Sequence, residues 1–184
     1  MHVAFLHGRL PPGVRLYTMP PETLLAVHHK GRFVERCADY GLDAPATAMA
    51  DAPGAAAIAR AGRHVTKPAY SCSGRGVEFH AAGAPLRADP ARIVQAFVDG
   101  EVCSTCTLAH GGRSLATVVY RAAVTSGSVA VCFERIERPA VEAWVGAFVA
   151  RSGWTGFVSF DFVVDAAGRA WAIECNPRTT SGLH

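Results

Sequence analysis

Phe157-Val-Ser-Phe-Asp161-Phe-Val-Val164 and Ala170-Trp-Ala-Ile-Glu174-Cys-Asn176, separated by Asp165-Ala-Ala-Gly168-Arg, decide the fold. Both runs are rich in aromatic and β-branched residues, and a glycine-containing turn joins them, which predicts a β-hairpin. Strict alternation puts Phe157, Ser159, Asp161 and Val163 on one face, with Phe160, Phe162 and Val164 on the other. In the return strand it groups Ala172, Glu174 and Asn176 against Ile173 and Cys175. An ionised Asp161 inside so apolar a run is costly unless a cation answers it. Two carboxylates and an amide oxygen, from Asp161, Glu174 and Asn176, are hard donors that suit Mg2+ bound to phosphates and water. Arg178, two residues on, offers a planar fork to phosphoryl oxygens. A plainer reading stays open: Asp161 paired with Arg121 as a structural ion pair, and Glu174 as a solvated edge residue.

A second element stands about a hundred residues upstream, in Lys67-Pro-Ala-Tyr-Ser71-Cys-Ser73-Gly74-Arg-Gly76-Val77. Small residues at Ser71, Ser73, Gly74 and Gly76 let the backbone approach a phosphate and form an anion nest, with Lys67 supplying a point charge. A Walker loop would end in Gly-Lys-Ser/Thr and open a helix. Here a strand follows, and Gly-Arg-Gly turns are common in hairpins, so the loop gains meaning only from its partner.

Outward from these two elements the chain of 184 residues reads as α+β. Pro21-Glu22 opens a helical stretch whose apolar face includes Phe33, Val34, Cys37 and Ala38, with Gly41 placed to stop it. Ala44 to Thr47 reads as an extended connector, and a short alanine-rich helix spans about 54–61. Strands are expected at 65–68, 77–79, 93–98, 101–109, 114–124 and 128–136, and an amphipathic helix at 139–151. The net charge of +3 is not concentrated in a basic stripe, which excludes a nucleic-acid footprint. No run of about 18 apolar residues exists to span a membrane. The start lacks a secretory leader, so six cysteines read as reduced thiols of a cytoplasmic protein. Cys103 and Cys106 sit three apart in a strand, on opposite faces, and are not expected to share a metal.

Together these residues resemble the ATP-grasp superfamily, the carboxylate–amine ligases and their relatives. Lys67-Pro68 with Ser71-Cys-Ser-Gly-Arg-Gly-Val77 is similar to its lysine and phosphate loop, and Phe160-Asp161-Phe162 with Glu174-Cys-Asn176-Pro-Arg178 to its metal-binding strands. The acids lie 174 − 161 = 13 residues apart, as in the family's hairpin. The ending Asn-Pro-Arg-Thr-Thr-Ser-Gly-Leu-His resembles the branch of the carbamoyl-phosphate synthase large chain and biotin carboxylase. The likeness runs from about Val14 to the end.

The resemblance implies two α+β lobes with antiparallel sheets enclosing a nucleotide cleft. Residues 1–20 would be the remnant of a preceding substrate domain or linker, 21–97 a first lobe, and 98–184 a second, incomplete at its C-terminus. It also implies that Lys30, Lys67, Ser71, Ser73, Gly74 and Gly76 meet the nucleotide, and that the hinge Gln95, Phe97 and Val98 holds adenine. Asp161, Glu174 and Asn176 would bind Mg2+, or Mn2+ in its place, and Arg178 would steady the transferred phosphoryl group. ATP is the expected cosubstrate, with an unidentified carboxylate and nucleophile, and the implied chemistry is an acyl phosphate attacked by an amine. Three positions depart from the pattern: Ala96 replaces an acid beside Gln95, Val102 stands where a ribose-binding glutamate falls, and His29 replaces the acid before Lys30. The absent family regions suggest an alternative: a truncated, non-catalytic nucleotide-binding module that acts with or regulates a partner chain. They also suggest surface that self-associates or awaits a missing domain.

Overall fold

Proline and glycine set the limits of the helices. Pro21, Pro53 and Pro139 each open one, where a missing N–H costs nothing: α1 (Pro21–His28), α3 (Pro53–Ala61) and α4 (Pro139–Ser152). α2 (Lys30–Asp39) follows α1 after a single extended residue, His29. The His29 N–H closes α1 on the Leu25 carbonyl, and its ring accepts from Arg32 N at 3.2 Å to cap α2. α4 ends at Gly153, in the left-handed region at φ 64°. The computed structural model describes residues 2–71, 74–126 and 129–180.

Nine strands among the described residues form two antiparallel sheets. The small sheet has the order β1-β4-β2-β3, from β1 (Thr47–Met49), β2 (His64–Pro68), β3 (Glu78–His80) and β4 (Arg92–Ala96). The large one is β7-β6-β5-β8-β9, from β5 (Glu101–His110), β6 (Arg113–Ser126), β7 (Val129–Arg135), β8 (Gly156–Val164) and β9 (Ala170–Asn176). The expected α+β architecture of two antiparallel sheets is the one observed. β1 is an addition: the connector at Ala44–Thr47 runs on into a strand that pairs Thr47 with Gln95.

One face of the large sheet carries the main core. Phe160 and Phe162 of β8 meet Phe33 of α2 and Trp144 and Phe148 of α4, with Trp144 and Phe148 stacked at 5.5 Å. Each such ring contributes roughly 1.5–3 kcal/mol on burial. α1 and α2, grouped with residues 21–97 on sequence, thus pack on the large sheet, while α3 covers the small one through Ala55 and Val94. The first twenty residues also lie against the large sheet: Ala4 is in its core and the Tyr17 hydroxyl donates to the Ala109 carbonyl. No described helix is long and apolar enough to cross a membrane.

The β8–β9 hairpin departs from strict alternation at one point. Asp161 opposes Glu174, but the next pair is Phe162 with Ala172, so Ile173 is the extra residue of a bulge. Ala172 therefore joins Phe162 in the core instead of sharing a face with Glu174, which corrects the alternation-based grouping. Asp161, Glu174 and Asn176 keep a common face, away from the core aromatics.

Candidate functional site

The face of the large sheet that carries Asp161 and Glu174 meets the small sheet at β2. Val65 and Lys67 of β2 oppose Gln95 and Ile93 of β4, and Lys67 projects across to the hairpin. Its ammonium donates to the Ile173 carbonyl at 3.0 Å, and the side chain is 5% exposed. The bulge explains the acceptor: an extra residue leaves the ladder, so its carbonyl is free to take a donor from elsewhere. Lys67 and the Glu174 strand, 106 residues apart, thus line one crevice.

Lys30 enters the same crevice from the start of α2, which packs along the β9 edge. Its ammonium donates to the Ser71 carbonyl at 3.1 Å and to Ser71 Oγ at 3.0 Å, and lies 3.5 Å from Glu174 Oε1. The Lys30 backbone N–H adds a bond to the Ala69 carbonyl. The loop after Lys67 is therefore pinned to α2 at its beginning. Gly74 and Gly76 follow at φ 67° and 71°, a region that L side chains avoid, so glycine is required for the turn itself. Arg92 holds the loop's exit by donating to the Gly76 carbonyl, Thr66 and Glu78. Ser73 lies outside the described residues.

Among the described residues, Asp161 has no arginine partner. Its Oδ1 accepts from Ser104 at 2.6 Å and its Oδ2 from Asn176 Nδ2 at 3.2 Å. Arg121, the partner considered on sequence, binds Glu101 and Glu134 on the strand's other face. Arg178 is exposed and donates to Asn176 Oδ1 at 3.2 Å, so Asp161, Asn176 and Arg178 form a chain leading outward. Burial pushes the Asp161 carboxyl up to about 6, aided by the charge of Glu174 and opposed by the Ser104 hydroxyl. Burial also lowers the Lys67 ammonium to about 8, against the pull of Glu174. Burial thus moves both groups toward their neutral forms, while near neutral pH each still carries its charge for most of the time.

This arrangement gives a pH expectation. Lys67 would titrate near 10.5 when unfolded and does so at about 8 in the fold, so the fold disfavours its charge. Its contribution to stability is absent below about pH 8 and grows as pH rises to 10.5. Ligand-free protein should therefore gain about 3 kcal/mol relative to a Lys67→Met variant across that window. Denaturant melts of the two proteins at pH 8 and pH 10.5 check it, and a constant difference between them would refute the burial assignment.

The donor set fits a hard divalent cation. Two carboxylates face each other across one strand pair on a shared face, an amide oxygen stands next to them, and no soft ligand intrudes. No group of three or more His, Cys, Asp or Glu suited to a metal occurs among the described residues, so phosphates and water would complete the coordination. Cys103 is in the core and Cys106, also buried, is on the opposite strand face.

The hinge candidates lie farther along the small sheet. Gln95 is buried and donates to Thr47 Oγ1 at 2.9 Å, while the Phe97 N–H is taken by the Arg63 carbonyl. The Arg63 guanidinium sits 4.0 Å from the Phe97 ring centroid, and Val98 is half-buried beside it. The structure thus brings Lys30, Lys67, Ser71, Asp161, Glu174, Asn176 and Arg178 together, and leaves Gln95, Phe97 and Val98 in a separate group. Four participants have no signal in the sequence: Ser104, Arg92, Thr47 and the Ile173 carbonyl. A cavity of about 680 Å3 between Gly100, the start of α4 and the β8–β9 turn includes none of the candidates. Its main charges, Glu101 and Arg138, already satisfy each other, which leaves it little chemistry.

No curated protein matches the sequence. Solved structures do. The L-amino acid ligase from Bacillus licheniformis is 17% identical, with a TM-score of 0.69 over 96% of this chain and 45% of that one. A biotin carboxylase β-γ-ATP complex from Campylobacter jejuni is 14% identical, with a TM-score of 0.75 over 97% and 46%. The D-cycloserine synthetase DcsG is 17% identical, with a TM-score of 0.63 over 99% and 72%. The chain spans about half the length of the first two. A profile of the ATP-grasp domain matches residues 27–182, which takes in both sheets and every candidate residue, and the chain belongs to the ATP-grasp family.

Proposed function

We propose that this chain binds Mg-ATP in the crevice between its two sheets, as the nucleotide site of a ligase that activates a carboxylate as an acyl phosphate for attack by an amine. One observation carries the reading: buried Lys67 and Lys30 converge from the small sheet and α2 on the strand that bears Glu174. Lysines there answer phosphate charge, while Asp161, Glu174 and Asn176 hold the cation on the opposite wall. Bound Mg2+ would neutralise charge on the transferred phosphoryl group. Arg178, exposed and tethered through Asn176, would steady the transferred phosphoryl group. Gly74 and Gly76 leave the loop backbone open to phosphate oxygens. Gln95, Phe97 and Val98 hold adenine at the far end, and Val102, 61% exposed, contributes apolar contact where an acid for the ribose hydroxyls would stand.

The β-γ-ATP of the Campylobacter jejuni complex and the ligase name of the Bacillus licheniformis protein support this reading. The lobes at 21–97 and 98–184, with 1–20 as the remnant of a substrate domain or a linker, belong to the same proposal, as do the carboxylate and nucleophile. Five free cysteines among the described residues fit a reducing cytoplasm.

Thermal shift with ATP, with and without Mg2+, tests the core of the proposal. A midpoint raised by ATP and raised further by Mg-ATP is the expected result, and no shift with either would overturn it. Replacing Lys67 by alanine should weaken ATP binding by about 1.5–3 kcal/mol, the scale of a charge-assisted contact. Calorimetry reads this directly; unchanged affinity would remove Lys67 from the site.

A further inference from the structure

Lys30, Lys67, Asp161 and Glu174 bring two charges of each sign into the crevice, with Arg178 tethered at its exposed side through Asn176. Lys30 is 1% exposed and Glu174 17%, so water screens their 3.5 Å contact little. The Lys30 ammonium has three protons. Two are directed at the carbonyl and hydroxyl of Ser71, the residue that enters the phosphate loop, and Glu174 Oε1 stands nearest for the third. The cation therefore sits beside an oxygen that a metal ion would use, and it holds the loop at the same time.

That balance discriminates among ligands. A bare divalent cation entering beside Asp161 and Glu174 meets the Lys30 ammonium already paired with Glu174, and a second ammonium, Lys67, on the neighbouring Ile173 carbonyl. A metal-free nucleotide brings phosphate charge toward the same two carboxylates. Only the pair together gives every charge a partner, with the metal at the acids and the phosphates at the lysines. Lys30 can exchange Glu174 for a phosphate oxygen without giving up Ser71, because Glu174 stands by only one of its three ammonium protons and α2 fixes its backbone.

On the Mg-ATP reading above, we infer that Lys30 is a positioning residue that makes metal binding conditional on nucleotide. It acts as an internal counter-ion to Glu174, released when phosphate arrives, and its bond to Ser71 transmits that release to the phosphate loop.

Mn2+ titrated against the full chain and followed by electron paramagnetic resonance tests this, with and without ADP. Wild type should bind Mn2+ at least roughly tenfold more weakly alone than with ADP, the scale of one uncompensated charge. Lys30→Met should strengthen nucleotide-free Mn2+ binding by roughly tenfold or more, and so diminish the difference that ADP makes. Lys30→Gln, which keeps an N–H donor for Ser71, should do the same and guards against a folding defect in the first variant. Equal Mn2+ affinity of the wild type with and without ADP would overturn the inference. So would nucleotide-free binding unchanged in the variants, and in both cases the Mg-nucleotide reading would stand. If wild type bound Mn2+ under neither condition, that reading would fall and the inference with it.

Discussion

Replacing Glu174 by glutamine should remove the Mg2+ dependence of ATP binding and leave metal-free nucleotide binding equal to or tighter than that of the wild type. Glutamine keeps the shape and one oxygen but loses the charge that a hard divalent cation requires. Glu174 opposes Asp161 across the β8–β9 pair, so its loss leaves a single carboxylate and Asn176 as protein donors. Lys30, 3.5 Å away, is simultaneously freed from its acid and becomes more available to phosphate. Any Mg-dependent release of ADP should fall by about two to three orders of magnitude, the cost of removing a preorganised charge at a phosphoryl-transfer site. Calorimetry of ATP binding with and without Mg2+ reads the first effect. A variant whose affinity still rises with Mg2+ would show that the cation is held elsewhere.

The same substitution should also loosen Asp161. The charge of Glu174 helps push the Asp161 carboxyl up to about 6, so Asp161 in the variant should titrate lower. Burial remains the larger cause, and the group should still protonate above the ordinary carboxylate range.

The hairpin that carries both acids was legible because its determinants are local. Aromatic and β-branched alternation from Phe157 to Val164, the turn at Asp165–Gly168 and the return to Asn176 are all within one supersecondary unit. Parity put Glu174 and Asn176 on one face, and the pairing of Asp161 with Glu174 adds the second acid to it. Parity failed at Ala172, since a bulge inserts a residue without a compositional mark, and Ile173 is as good a strand residue paired as unpaired. Ser104 was illegible for another reason. It meets Asp161 only because β5 pairs with β8 in one register, and that register is a property of two segments 57 residues apart. The gap at His29 shows a third case. A histidine before Lys30 departs from the acid expected there, yet its ring accepts the Arg32 N–H as a capping carboxylate would. Burial and Arg32 both lower its pKa, a direction that favours the unprotonated accepting nitrogen.

Gly156→Ala should cost about 3 kcal/mol or more of stability. Gly156 opens β8 at φ 109°, where L residues are strained. A Cβ built there meets the Tyr17 carbonyl oxygen at 2.7 Å and the Thr18 Cα at 3.0 Å. Both are backbone atoms and cannot rotate away. The segment they belong to is itself held, because the Tyr17 hydroxyl bonds the Ala109 carbonyl and Met19 packs against the main core. Either β8 shifts, taking Ser159 and Asp161 with it, or the stretch at 17–19 detaches. Gly168 provides the control: its φ is 80°, but nothing lies within 4 Å of its built Cβ. Gly168→Ala should therefore cost only the conformational strain, about 1 kcal/mol. Urea melts of both variants separate the terms, and equal losses would mean that Tyr17 and Thr18 do not approach β8 as described. The larger loss should come with weaker ATP binding only if β8 is the element that moves, so affinity measured on folded Gly156→Ala protein decides which side of the contact yields.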